Sequence, residues 1–486
     1  MRLLFLFLIL LGSVHHSIAD HFTDKKTKTD ANLTGHVINK NTGEHIPFFT
    51  VSLKGTTLGT ATDETGHYFL KNLPVGSYTI RVNGVGYRSA EKQIVLRQGE
   101  TRELNFEVEE DIIQLETVVI SANKNETNRM EAPVVVHVMT PKLFENTNSV
   151  CLAQGLSFQP GLRVETNCQN CGFQQVRING LDGPYTQLLL DGKALFSSLN
   201  GVYGIEQIPA GMIERVEVMR GGGSALYGAN AIGGTVNIIT KEPLNNLFMI
   251  SHNLIAIGNS AYDNTTSLNA SLINGQRNAG LYIFGTSRHR QHYDHDGDHF
   301  SEIGELKLTT LGFRSYYKPS SQTKLTLEYH NIQEFRRGGN LFSLPPHETD
   351  ITEQADHDIN GGGVDFSFFS KDYTHKFSLY SSVQHTDRQS YYGAGKDPNA
   401  YGKTKDLTAI AGIQYSYNFN HLLFMPAILT AGSEYSYNKL VDKMLGYHRT
   451  IDQKVDVYSF FLQNEWKTEQ FSFLLGGRLD KNSFID

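Results

Sequence analysis

Cysteine is scarce: the chain holds three in 486 residues, at 151, 168 and 171, too few for the disulfide framework that stabilises small secreted domains. One local bridge in an oxidising compartment is all they leave room for. Basic runs are missing as well. With 43 Lys and Arg against 50 Asp and Glu, the net charge is −7, and no Lys/Arg run exceeds about a pair, which argues against nucleic acid as a partner. Past the N-terminus, no stretch approaches the ~18 consecutive apolar residues of a transmembrane helix. If the chain crosses a membrane, it must do so with strands.

At the N-terminus, Arg2 precedes an apolar run from Leu3 to Leu11 and then Ser17-Ile18-Ala19. A charged start, a short apolar stretch and small residues before the cut predict a signal peptide over residues 1–19, hence export. About nine apolar residues are too few to span a bilayer as a helix. The polar stretch Asp20 to Ala31 reads as a linker.

Residues 32–109 contain short β-patterned runs such as Thr50-Val51-Ser52-Leu53, Tyr78 to Val82 and Gln93 to Leu96. Turn signals divide them at Asn41-Thr42-Gly43, Asp63 to Gly66 and Pro74-Val75-Gly76. This predicts a small β-sandwich. Gly43-Glu44-His45-Ile46-Pro47, Thr60 to Phe69 and Leu73 to Tyr78 resemble a carboxypeptidase-regulatory-like domain. The stretch supplies no catalytic zinc set, so an accessory or docking module is expected and an enzyme is not.

The β-branched segment at 115–122 includes Glu116, Thr117, Val118, Val119, Ile120, Ser121 and Ala122. Two readings stand. It could be the last strand of the sandwich, or it is similar to a TonB box, an extended peptide that pairs edge-on with a strand of an energy-transducing protein and so needs β propensity and accessibility.

From 125 to 242 the sequence is glycine-rich without low complexity. Val176 to Gly180, Leu188 to Gly192, Ile208 to Gly221, Ser224 to Gly228 and Val236 to Lys241 resemble, in order, the plug domain of TonB-dependent receptors. A nucleotide-binding loop is excluded, because no Gly-Lys-Ser/Thr follows the glycines and the run leads into a Val/Ile strand. Alternation of Glu214, Val216 and Val218 with Arg215, Glu217 and Met219 predicts one strand with two chemically different faces. Arg215, Glu217 and Arg220 are the expected contacts between plug and barrel wall.

After Lys241 the texture alternates: Leu325, Leu327 and Tyr329 with Thr326, Glu328 and His330; Leu407, Ala409 and Ala411 with Thr408 and Gly412. About eleven strands are expected between 246 and 486, with long connections near 290–303, 338–358, 389–405 and 440–453 and short ones between. Long loops all on one side fit an outer-membrane barrel with external loops. The resemblance implies about eleven of twenty-two strands, a partial antiparallel transmembrane β-barrel, with outer-membrane lipid around it. The expected class is therefore mainly β: an N-terminal β-sandwich, an α+β plug domain and that barrel.

Ligand chemistry has several candidate places. Cys168 and Cys171 suit a small disulfide, a soft copper or zinc contact, or neither. Asp294, Asp296 and Asp298 have the spacing of a calcium loop, but His299 stands where an EF-hand requires glycine, so a solvated acidic loop competes. In the next loop His347 and His357 could coordinate haem iron, or Arg336 and Arg337 could attract an anionic ferric chelate, with ordinary loop polarity the competing reading for each. His347-Glu348 lacks a second histidine at zincin spacing.

The resemblance to siderophore and colicin-type receptors implies an importer of a small chelated-metal substrate, ferric siderophore first. It is placed in the outer membrane of a Gram-negative bacterium, driven by a TonB-type protein, with no resident cofactor required. Haem, cobalamin or copper import, or a barrel-anchored adhesion or signalling protein, are the alternatives.

Overall fold

The computed structural model describes residues 31–483 apart from 85–86, 110–117, 122–123, 126, 129–131, 169–171, 195–199, 222–223, 259, 373, 445 and 469–470. The expected signal peptide lies outside the described residues.

The N-terminal unit contains β1 (Ala31–Asn39), β2 (Thr50–Leu53), β3 (Gly59–Ala61), β4 (His67–Leu73), β5 (Gly76–Asn83), β6 (Ala90–Leu96), β7 (Thr101–Glu103) and β8 (Phe106–Val108). One sheet pairs β1 with β4, β7 and β8; the other runs β3-β2-β5-β6. Alternation does the work within each strand. Ala31, Leu33 and Val37 point inward, while Asn32, Thr34 and His36 point out. Leu33, Val51, Leu53, Ile80, Val82 and Phe106 close the core between the sheets.

After β9 (Val118–Val119) and β10 (Thr127–Asn128), a short antiparallel pair, comes an α+β unit. It comprises β11 (Val136–Met139), α1 (Pro141–Asn146), α2 (Leu152–Leu156), β12 (Leu162–Cys168), β13 (Phe173–Ile178), β14 (Thr186–Leu190), α3 (Asn200–Gln207), β15 (Ile213–Arg220), α4 (Ser224–Tyr227) and β16 (Gly234–Thr240). Its four-stranded sheet runs β11-β15-β16-β14. β15 is buried on both faces: Val216 and Val218 join one apolar cluster, and Met219 joins another with Leu189, Leu226 and Tyr227.

Eleven antiparallel strands follow in one sheet, each paired with the next: β17 (Leu247–Ile257), β18 (Ala261–Ile273), β19 (Ala279–Arg290), β20 (Glu305–Ser320), β21 (Thr323–Gly339), β22 (Ile351–Phe369), β23 (His375–Ala394), β24 (Tyr401–Leu422), β25 (Met425–Met444), β26 (Arg449–Lys467) and β27 (Ser472–Asn482). No pairing joins β17 to β27 among the described residues. Of the expected long connections only the first keeps its length, at 291–304; the others contract to 340–350, 395–400 and 445–448. Strands of up to 22 residues carry the ladder far past the ~9–11 that cross a bilayer, because main-chain pairing continues where the side chains turn polar.

This sheet is inverted relative to a soluble one. Thr326 and Glu328 are buried on the concave side, whereas Leu325, Leu327 and Tyr329 are exposed. Register carries the exposed apolar face from strand to strand, through Leu327 opposite Val364 and Leu379 opposite Ile413. An apolar exterior around a polar interior is what a lipid-facing barrel wall requires. Among the described residues no helix is long and apolar enough to cross a membrane.

Candidate functional site

The α+β unit sits against the concave side of the sheet, and charge holds it there. Glu206, on α3, is the hub of one cluster: its carboxylate meets Arg288 at 3.2 Å, Arg290 at 2.8 Å and Arg336 at 3.4 Å, from β19 and β21. Arg288 also pairs with Asp263 at 2.7 Å, and Arg336 with Glu334 at 2.8 Å. Burial alone would push the Glu206 carboxyl up, but the guanidiniums of Arg290, Arg288 and Arg336 outweigh it and hold it at about 2.

A second cluster lies lower on the wall. Arg314 of β20 reaches Glu328 at 3.0 Å and also bonds Asp191 and Thr240 of the plug. Lys193 donates to Asp365 at 2.6 Å and to Glu328 at 3.4 Å. Lys193 keeps its charge despite burial, which alone would lower its pKa, because Glu328, Asp365 and Asp191 push it upward. Further hydrogen bonds complete the seat: Tyr282 to the Gly211 carbonyl at 2.7 Å, Asn125 to Thr430 at 2.9 Å and the Arg478 guanidinium to the Leu226 carbonyl at 3.0 Å.

Above the first cluster is a cavity of about 320 Å³. Gln154, Thr166, Gly172, Gln174 and Glu206 of the plug form its floor. Ile255, Arg288, Arg290, Glu302, Glu305, Arg336 and Arg337 form its wall, at the strand ends that carry the 291–304 and 340–350 loops. Arginines and carboxylates facing one space can bind a charged, hydrogen-bonding ligand.

The structure redistributes the residues expected from sequence. Arg215 pairs with Glu217 at 2.8 Å, and Arg220 bonds the Pro160 carbonyl, so the contacts found for both stay inside the plug. Glu217 is fully buried, accepting from the Ile120 amide at 2.9 Å, the Ser121 amide at 2.8 Å and the Ser121 hydroxyl at 2.6 Å. Contacts to the wall come instead from Glu206, Asp191, Lys193 and Glu242. The reason is that Met219 clusters with Leu226 and Tyr227 of α4, while Glu217 is taken up by Ile120 and Ser121.

Those residues belong to the TonB-box-like segment. Val119 is buried against Val136, and Ser121 also receives Asn237 at 3.0 Å and gives its carbonyl to Tyr227. The described part is thus tucked into the plug: it is neither a strand of the sandwich nor an open edge. Glu116, Thr117 and Ala122, and the side chain of Val118, lie outside the described residues.

Arg336, Arg337 and His357 prove to be strand residues, since β21 and β22 run into the expected loop. Arg336 is spent on Glu206, Glu334 and the Gly172 carbonyl, although it lines the cavity. Arg337 ties down the next loop through the Leu341 and Leu344 carbonyls. His357 is buried 3.2 Å from Glu334, away from any loop. His347 does sit in a loop, with Nδ1 2.8 Å from the Tyr401 hydroxyl.

Asp294 and Asp296 come together with Glu302, not Asp298: their carboxylate oxygens lie within 4.8 Å of one another and could hold a hard cation such as calcium. Asp298 instead caps the Phe300 amide at 2.8 Å. His299, in the glycine position, adopts φ 72°. Cys171 and the Cys168 side chain lie outside the described residues, while Cys151 is free and buried beside Arg288.

Sequence reasoning missed Glu206, Arg288, Arg290 and Arg314. A signal existed for two of them, because Arg288 and Arg290 share the period-two face of Tyr282 and Phe284, which turns toward the plug.

A family model described as the TonB-dependent receptor plug domain matches residues 128–235, and one described as a CarboxypepD_reg-like domain matches 33–120. The chain therefore carries the CarboxypepD_reg-like domain first and the plug domain after it. Over 127 residues it is 35% identical to the vitamin B12 transporter BtuB of Vibrio vulnificus (strain CMCP6), a match over 26% of this chain and 21% of the transporter. The siderophore receptor PirA from Acinetobacter baumannii superposes with a TM-score of 0.60 at 18% identity, covering 72% of this chain and 56% of that one. FpvA of P. aeruginosa, solved with heterologous pyoverdines, gives 0.61 at 14% identity, covering 77% and 56%. At such identities the likeness is one of fold, that of TonB-dependent receptors. The chain matches just over half the length of these receptors and about a fifth of the transporter's.

Proposed function

We propose that the chain belongs to an outer-membrane importer of a metal chelate, with a ferric siderophore as the leading cargo, energised by a TonB-type partner in a Gram-negative bacterium. The observation that carries this reading is the seat of the plug. Buried ion pairs around Glu206 and Arg314 fasten it to the wall where an apolar seam would have been an alternative. Charged contacts hold one geometry tightly, yet can be exchanged for water when a body moves, so a pull can release this part of the seat, to which Tyr282, Phe284 and Phe461 add apolar contacts.

Ile120 and Ser121 are bonded to Glu217 on β15, so tension on segment 115–122 would reach that strand directly. The exposed apolar wall suits outer-membrane lipid. A cavity lined by arginines and carboxylates suits a polar, charged chelate. Cobalamin is the second reading, favoured by the 35% identity over 127 residues to a vitamin B12 transporter.

Deleting residues 115–122 from the gene that encodes this chain tests the proposal in cells starved of iron. Uptake of labelled ferric siderophores should fall to background while their binding to cells persists. Unchanged uptake of both siderophores and cyanocobalamin would sink the importer reading and favour adhesion or signalling.

A further inference from the structure

Three of the chain's histidines meet on the outer surface of the sandwich, at a place the import reading does not use. Pairing of β1 with β4 sets His36 directly opposite His67. A bridge between Ile38 and His45 folds the intervening loop back, bringing the third ring alongside. Ring centroids are 4.9 Å apart for His36 and His45, 4.8 Å for His45 and His67, and 5.7 Å for His36 and His67. The backbone is shaped for this approach. Gly66 holds φ 77°, and a Cβ there would come within 2.6 Å of the His45 Cβ.

Hydrogen bonds also select the tautomers. His45 Nδ1 lies 3.0 Å from the Thr65 carbonyl, which only accepts, so Nδ1 carries the proton and Nε2 keeps its lone pair. The Thr65 hydroxyl gives its single proton to Asp63 at 2.7 Å, and so must accept from His67 Nδ1 at 3.0 Å. His67 Nε2 therefore keeps its lone pair too. Asp63 is itself fixed by the amides of Thr65 at 2.8 Å and His67 at 3.0 Å. An imidazole oriented through its second nitrogen by a carbonyl or a carboxylate-linked hydroxyl is the usual support for a metal ligand.

We propose that His36, His45 and His67 form a binding site for a borderline divalent transition-metal ion, zinc or copper, with a remaining coordination position open to solvent. Three imidazoles around one tetrahedral ion, with metal–nitrogen distances of about 2.0–2.1 Å, place their centroids roughly 5 Å apart. The observed spacings bracket that value. The ring planes are inclined by 29°, 40° and 67° and the ring nitrogens do not all lie within 4.8 Å of one another, so binding an ion requires the exposed His45 and His67 side chains to turn toward it. Copper should bind more tightly than zinc.

A plain stack of aromatic rings would need no metal, and His45→Phe and His67→Phe separate the two cases because they keep the rings and remove the donors. The full chain in detergent micelles is titrated with cobalt(II), then with zinc(II) as competitor. We expect one zinc-displaceable cobalt with visible bands of tetrahedral type, and affinity lower by roughly 100-fold in either Phe variant. Thr65→Val should weaken binding by about 10-fold through lost orientation. Variants Asp294→Asn/Glu302→Gln and Cys168→Ser/Cys171→Ser should leave the bands in place. Bands that survive both Phe variants, or wild-type protein that takes up no metal at millimolar concentration, overturn the proposal. Circular dichroism confirms that each variant is folded, and His36→Phe replaces any that is not.

Discussion

The sandwich and the large sheet are built from the same alternating strands, yet they bury opposite halves of the alternation. In β1 the inward residues are Ala31, Leu33 and Val37, each at 0% exposure, and in β21 they are Thr326 and Glu328 at 4% and 8%. Two-residue periodicity states that a strand has two faces; it does not state which face meets water. In the sandwich the apolar faces meet each other. Around the plug the polar faces meet a polar body, and the apolar ones are left for lipid.

Substitutions can break or sharpen that contrast. Ile80→Asp puts an unpaired charge into the sandwich core and should cost more than ~4 kcal/mol, read as loss of hydrogen-exchange protection in residues 31–108 while the large sheet stays protected. Glu206→Gln takes the shared anion from three guanidiniums in the plug seat. Because Arg288 keeps Asp263 and Arg336 keeps Glu334, the cost should fall near the lower end of ~3–5 kcal/mol, measured as faster proteolysis of the plug with the sandwich unchanged.

Leu327 and Val95 have nearly equal exposure, 45% and 48%, but face different media if the sheet is a barrel wall. Leu327→Lys should cost about 2–4 kcal/mol in a lipid refolding assay, depending on depth. Val95→Lys should change stability by under ~0.5 kcal/mol. Equal effects would remove the case for lipid outside the sheet.

Acid should loosen the plug seat in a defined window. The Glu206 carboxyl is held at about 2 against an ordinary 4.5, a folded value below the unfolded one. Its contribution is therefore complete above pH 4.5 and is lost as pH falls through about 2. Plug release followed by spin-label distances should stay flat above that window and rise within it. Glu206→Gln should remove this component.

Much of the fold was legible. The large antiparallel sheet has the eleven strands that alternation predicts after Lys241. Strand ends were read less well, because main-chain pairing does not stop where apolar side chains do. His357 and Arg336 moved from loop to strand for that reason. Arg215, Glu217 and Arg220 were placed on a real two-faced strand, but the partners of Glu217 lie about a hundred positions away, at Ile120 and Ser121.

By itself the sequence determined the order of the parts, the period of their strands and the turns between them, since these depend on neighbours a few residues apart. Tertiary structure alone decided which charges meet. Glu206 finds three arginines on two strands, Glu217 finds Ser121, and three histidines at 36, 45 and 67 converge on one surface. Electrostatic and metal-binding geometry depends on distances between side chains that chain order does not encode, and only pairing register and the seating of one unit in another supply them.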